Sequence, residues 1–149
     1  VNDDELMAGV RDAFTVLDPV PGDVLAAGRA ALAWRLPGAT LAALARDGAA
    51  GAARGTRGGP VRALTFACPD ATVEVEVAEA GRFRELTGRI VPAAAASVAV
   101  RHRDLPPDPA GAPVEPGGLF CLPDVPAGPV SLLFRLDGGA SVVTSWAHV

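Results

Sequence analysis

The apolar spacing of this chain changes once along its length, and that change limits the folds open to it. Up to about residue 47 the apolar residues recur every three or four positions; beyond residue 60 they recur every two. The first period is that of a helix with one buried face, the second that of a strand with one buried face. Between them lies GAAGAARGTRGGP, residues 48–60, where Gly and small residues dominate and no apolar period survives. Such a composition predicts a flexible linker. The expected organisation is α+β: a helical segment over 1–47, a linker over 48–60 and a β domain over 61–149.

The first helix has a start signal and a stop signal. Asn2 followed by Glu5 forms the pattern of a capping box, and Asp3, Asp4 and Glu5 put negative charge at the positive end of the helix dipole. Leu6, Val10, Phe14 and Leu17 follow at spacings of four, four and three, with Met7 beside them, and make one apolar stripe. Asp18-Pro19-Val20-Pro21 ends it, because a residue before Pro avoids the helical region. A second helix is expected from about Gly22 to Leu36, with Val24, Ala27, Ala31 and Trp34 on one face. A short third helix is expected over Thr40 to Arg46, carrying Leu41 and Leu44 and closed by Gly48.

Beyond residue 60, Val73, Val75 and Val77 alternate with Glu74 and Glu76, the clearest half-buried strand in the sequence. Leu64 with Phe66, Leu86 with Ile90 across Gly88, Val98 with Val100, Phe120 with Leu122, then Leu132 with Phe134, and Val142 with Thr144 continue the alternation. Asp137-Gly138-Gly139 between two such runs predicts a hairpin turn. About six or seven short strands with turn signals between them favour an antiparallel sandwich or barrel, of which a β-sandwich is expected.

Composition sets the cellular expectations. The chain has no Lys, Gln or Tyr, and all 13 basic residues are Arg, a bias typical of high-GC bacterial coding. Val1 where Met is usual fits a GTG start codon, which predicts a full-length chain. No basic flank followed by an apolar run marks a signal peptide, and the weakly polar stretch 91–100 is too short for a membrane span. A cytoplasmic protein is therefore expected, with Cys68 and Cys121 as free, buried thiols. Net charge is −3 over 1–47, +3 over 48–103 and −4 over 104–149. So weak a basic block predicts no direct nucleic-acid binding.

Two resemblances add to this. The segment from Thr87 to Leu136, GRIVP…VAV…GGLFCLPDVPAGPVSLLFRL, resembles a carboxypeptidase-regulatory or prealbumin-like β-sandwich module, through Gly118, Phe120, Val125-Pro126-Ala127-Gly128 and Leu132. That likeness implies a fold, with Pro126 and Gly128 in a tight turn and Phe120, Leu132 and Phe134 in a core; it implies no activity. The N-terminal DDELMAGVRDAF…DPVPGDVLAAGRAALAWR resembles small actinobacterial proteins, through Asp18-Pro19-Val20-Pro21 and Trp34-Arg35. Those are similar in organisation to partners found beside extracytoplasmic-type sigma factors and caspase-like (CHAT) effectors. The resemblance implies such a protein as partner.

Catalytic patterns are not found. A transthyretin-like hydroxyisourate hydrolase would end in Tyr-Arg-Gly-Ser, whereas this chain ends Ser145-Trp146-Ala147-His148-Val149. No G-x-S-x-G elbow accompanies His102 or His148, no phosphate-binding Gly loop has its strand and helix, and Cys68, Cys121, His102 and His148 lack metal-ligand spacing. Both imidazoles are expected at the surface, Glu74 and Glu76 on a solvated sheet face, and no cofactor or metal is expected. The expectation is a non-enzymatic interaction or regulatory protein. Its candidate partner-binding residues are Leu6, Val10, Phe14, Leu17, Trp34 and Arg35, since a helix docks through apolar anchors one or two turns apart and Trp and Arg are enriched at interface hot spots. The alternative is a β-sandwich that binds a peptide or glycan, with the Pro-rich loop 104–118 as its mouth.

Overall fold

The structure is a computed structural model and describes residues 2–30, 35–49, 61–106 and 110–149. It contains two compact units, residues 1–36 and 37–149. The first holds α1 (Asp3–Leu17) and α2 (Gly22–Ala30). Among its described residues the second holds ten strands: β1 (Ala39–Ala49), β2 (Arg62–Cys68), β3 (Ala71–Ala80), β4 (Phe83–Val91), β5 (Ala95–Arg101), β6 (Ala112–Pro113), β7 (Leu119–Pro126), β8 (Pro129–Leu136), β9 (Ser141–Thr144) and β10 (Ala147–His148).

The ten strands form one nearly closed, barrel-like sheet in the order β6-β5-β8-β9-β1-β2-β3-β4-β7, with β10 also on β8. This corrects the expected six- or seven-stranded antiparallel sandwich in number, closure and direction, because β1 and β9 run parallel. Seven of the strands were legible as alternating runs. Two others, β6 and β10, are two residues long and cannot show a period. The tenth, β1, occupies the span of the expected third helix.

Leu41 and Leu44 are three apart among helix-favouring alanines, so local propensity points to a helix there. Pairing overrides it. Ala39–Ala42 lie in parallel register with Ser141–Thr144, and Ala43–Ala49 lie antiparallel to Arg62–Ala67. The strand passes from one neighbour to the other between Ala42 and Ala43, and the register with β2 then shifts between Leu44 and Arg46, leaving Ala45 as a bulge. The helical segment thus ends by Leu36, not at 47. Gly48 and Ala49, assigned to the linker from sequence, belong to β1; residues 50–60 lie outside the described residues.

Alternation places the core. Leu64 and Phe66, Val73, Val75 and Val77, Leu86 and Ile90, and Phe120 and Leu122 face Val98, Val100, Leu132, Phe134 and Val142, and all are buried. The Phe120 and Phe134 rings meet edge to face at 5.4 Å between centroids. Gly88 makes room for this pair. A Cβ there would fall on the carbonyl oxygen of Glu74 and 2.7 Å from Phe120 Cζ. Strands β5, β8 and β9 are buried on both faces. Ala99, Leu133 and Val143 form one cross-strand row that alternates with the core residues, and they too are buried. That is why β8 is an almost unbroken apolar run rather than an alternating one. The expected turn at Asp137–Gly139 joins β8 and β9, with Gly139 at φ 83°.

Candidate functional site

The helical unit carries the largest set of exposed apolar side chains. Asn2 caps α1: the Glu5 backbone N–H donates to Asn2 Oδ1 at 2.8 Å, and the Asn2 N–H donates to Glu5 Oε2 at 3.3 Å. The capping box read from sequence is therefore formed, and Asp18 closes the helix with its N–H on the Phe14 carbonyl at 2.9 Å. At about 100° per residue, Leu6, Leu17, Val10, Phe14 and Met7 span an arc of about 100°. No residue of α1 is buried. Within the stripe Val10 is the least exposed at 40%, Phe14 stands at 62% and Leu17 at 83%. In α2, Val24 and Leu25 are exposed as well. Arg35 is exposed; Trp34, its expected companion, lies outside the described residues.

The sheet unit carries a concave face of about 690 Å³ on the solvent side of β1, β2, β3, β4 and β7. Register builds it from two cross-strand rows. One runs Arg46, Thr65, Glu74, Arg89, Leu119; the other runs Gly48, Ala63, Glu76, Thr87, Cys121. The small residues of the second row leave the depression. Glu74 and Glu76 are exposed on this face as alternation requires, and Glu74 accepts from Arg89 Nη2 at 3.0 Å. Of the described residues of the loop 104–118, Glu115 lines this face. Sequence periodicity marked the outward positions of β3; it carried no signal that five strands would curve into one hollow.

Polar chemistry inside the sheet unit is committed to structure. His102, expected at the surface, is 1% exposed. Its Nδ1 accepts the Asp104 backbone N–H at 3.1 Å, which leaves Nε2 to carry the proton and donate to the Ala127 carbonyl at 3.3 Å. Nδ1 thereby fixes the loop just after β5, and Nε2 joins the end of β5 to the turn before β8. Gly128 in that turn has φ 129°, and a Cβ there would stand 3.2 Å from His102 Nε2. Beside it Arg101 Nη1 donates to Ser131 Oγ at 3.4 Å, its guanidinium lies 5.3 Å from the Trp146 ring centroid, and burial pushes its pKa down. Ser131 Oγ donates to the Thr144 carbonyl at 2.8 Å.

His148 is exposed, as expected. The two thiols are free, but Cys68 is half-buried and Cys121 is exposed on the concave face, which corrects the expectation of two buried thiols. No group of three or more His, Cys, Asp or Glu side chains placed to hold a metal occurs among the described residues, and none of their helices is long and apolar enough to cross a membrane. Compared with known protein families, with curated proteins and with solved structures, the chain matches none.

Proposed function

We propose that this chain is a non-enzymatic interaction or regulatory protein in which α1 docks a partner and the sheet unit is the rigid support. One observation carries the reading: a fully capped helix presents Leu6, Met7, Val10, Phe14 and Leu17 in a single stripe with none of them buried. A helix of 15 residues is marginal in water, and packing of its apolar face is what usually holds such a helix. Each large apolar side chain taken fully out of water contributes about 1.5–3 kcal/mol, so covering the stripe is worth several kcal/mol before ordering costs. The N-terminal resemblance makes a sigma factor or CHAT-type effector the partner to try first.

The test is a photo-crosslinking residue placed at position 14 in the native cell. One discrete protein adduct, lost when Val10→Asp is added, supports docking through α1. No adduct at position 14, with the same residue at position 121 giving one, moves the function to the sheet. That second reading, a module that binds a peptide or glycan, is favoured by the concave face of about 690 Å³.

A further inference from the structure

We infer, resting on the second of the two readings, that the hollow on the sheet takes a peptide by a Lys or Arg side chain seated on Glu76, and not a glycan. Its size fits such a ligand. At about 690 Å³ it lies in the range of ligand sites, roughly 300–1,000 Å³, and is far larger than a lone amine needs. Neighbouring strands lie about 4.8 Å apart, so β1, β2, β3, β4 and β7 beneath it span about 19 Å, the length of about five or six extended residues.

Charge selects the ligand. Among the described residues the charged side chains lining the hollow are Arg46, Glu74, Glu76, Arg89 and Glu115. Glu74 and Arg89 neutralise one another at 3.0 Å. Arg46, Glu76 and Glu115 have no ion-pair partner among the described residues. Glu76 stands in the middle of its row on β3, between Ala63 on β2 and Thr87 on β4, with Gly48 and Cys121 beyond. These four neighbours are small, and a Cβ at Gly48 would meet nothing within 4 Å. A ligand side chain can therefore descend onto the Glu76 carboxylate. The Thr87 hydroxyl, directly opposite with Cβ atoms about 5 Å apart, is a second acceptor for the three N–H donors of an ammonium. Arg46 lies in the other row and two strands away, about 12 Å from Glu76 between Cα atoms at ideal sheet spacing. The middle of the hollow is thus left negative, and Glu115, whose N–H donates to the Leu119 carbonyl at the β7 end, adds charge of the same sign.

An anionic ligand would bring like charge against Glu76 and Glu115. A sugar finds no ring to stack on: Phe120, the one aromatic side chain among the described residues lining the hollow, is 5% exposed and packs in the core. A peptide meets what the face does offer, with its basic side chain on Glu76 and an apolar one on the exposed Leu119.

Blocked five-residue peptides with Lys, norleucine or Glu at the centre test this on the full chain, with backbone amide NMR shifts reading place and affinity together. The Lys peptide is expected to shift the amides of Glu76, Thr87 and Cys121. It should bind about fivefold tighter than the norleucine peptide at about 50 mM salt, the upper range for a solvent-exposed ion pair. The ratio should fall towards one near 0.5 M, where the Debye length is only a few ångström. Glu76→Gln should remove the ratio, with an unchanged thermal melt and unchanged affinity for the norleucine peptide. Gly48→Trp, which fills the row, should weaken binding of both. Equal affinity for the Lys and norleucine peptides at these amides, or a ratio that survives Glu76→Gln, would overturn the seat at Glu76 and leave a peptide-binding sheet intact. Shifts of the same amides by a glucan or chitin hexamer and by no peptide would overturn the inference in favour of a glycan. Shifts from neither class of ligand would remove the second reading itself.

Discussion

Deleting residues 1–60 should abolish folding of the sheet unit, whereas deleting residues 1–36 should leave it folded. The difference is β1. It lies between β9 and β2 in the strand order, paired at six positions with β2 and at four with β9. Without it the sheet falls into two separate pieces, β6-β5-β8-β9 and β2-β3-β4-β7. Roughly ten backbone hydrogen bonds go with it, and at about 1 kcal/mol net each the loss is of order 10 kcal/mol. A domain of this size has a total stability of about 5–15 kcal/mol. The deletion also strips Ala42 from the core and removes the Asp47 carboxylate that accepts from Arg62 Nε at 2.7 Å. Among the described residues, none of the main core belongs to 1–36. The assay is circular dichroism with thermal and urea melts of chains 37–149 and 61–149. A cooperative transition in the first and none in the second is expected. A cooperative melt of 61–149 within a few degrees of 37–149 would refute the central role given to β1.

Three further outcomes are expected. Phe134→Ala removes a side chain with no exposure and its edge-to-face contact with Phe120, so it should cost about 3–5 kcal/mol in urea unfolding; a loss under about 1 kcal/mol would show that the core collapses around the hole. His102→Leu strands the Asp104 N–H and the Ala127 carbonyl and should lower stability by about 1–3 kcal/mol, and an unchanged urea midpoint would mean water replaces the ring. The Arg62 side chain holds the Asp47 carboxyl below its ordinary pKa of 3.8, so the stabilisation it brings is present above that value and disappears as pH falls through the lowered one; Asp47→Asn should therefore shift the urea midpoint at about pH 6 and not at about pH 2, and an equal shift at both would remove the charge from the explanation.

What the sequence alone determined is whatever its neighbours in the chain decide. The capping box of Asn2 and Glu5, the stripe from Leu6 to Leu17, the inward valines of β3 and the turn at Asp137–Gly139 each depend on residues a few positions apart, and a period or a turn residue displays them directly. The tertiary structure decided what depends on partners far along the chain. Residues 39–49 became a strand because Ser141–Thr144 and Arg62–Ala67 lie on either side, and ten satisfied backbone pairs outweigh the helical preference of a few alanines. The hollow beside Glu76 exists because Gly48, Ala63, Thr87 and Cys121, from four separate strands, fall into one row with it. His102 is buried because the end of β5 meets the turn at Ala127–Gly128, a contact across 25 residues that no local pattern in Arg101-His102-Arg103 announces. Periodicity tells a segment which of its faces to bury; only the assembled sheet tells it against what.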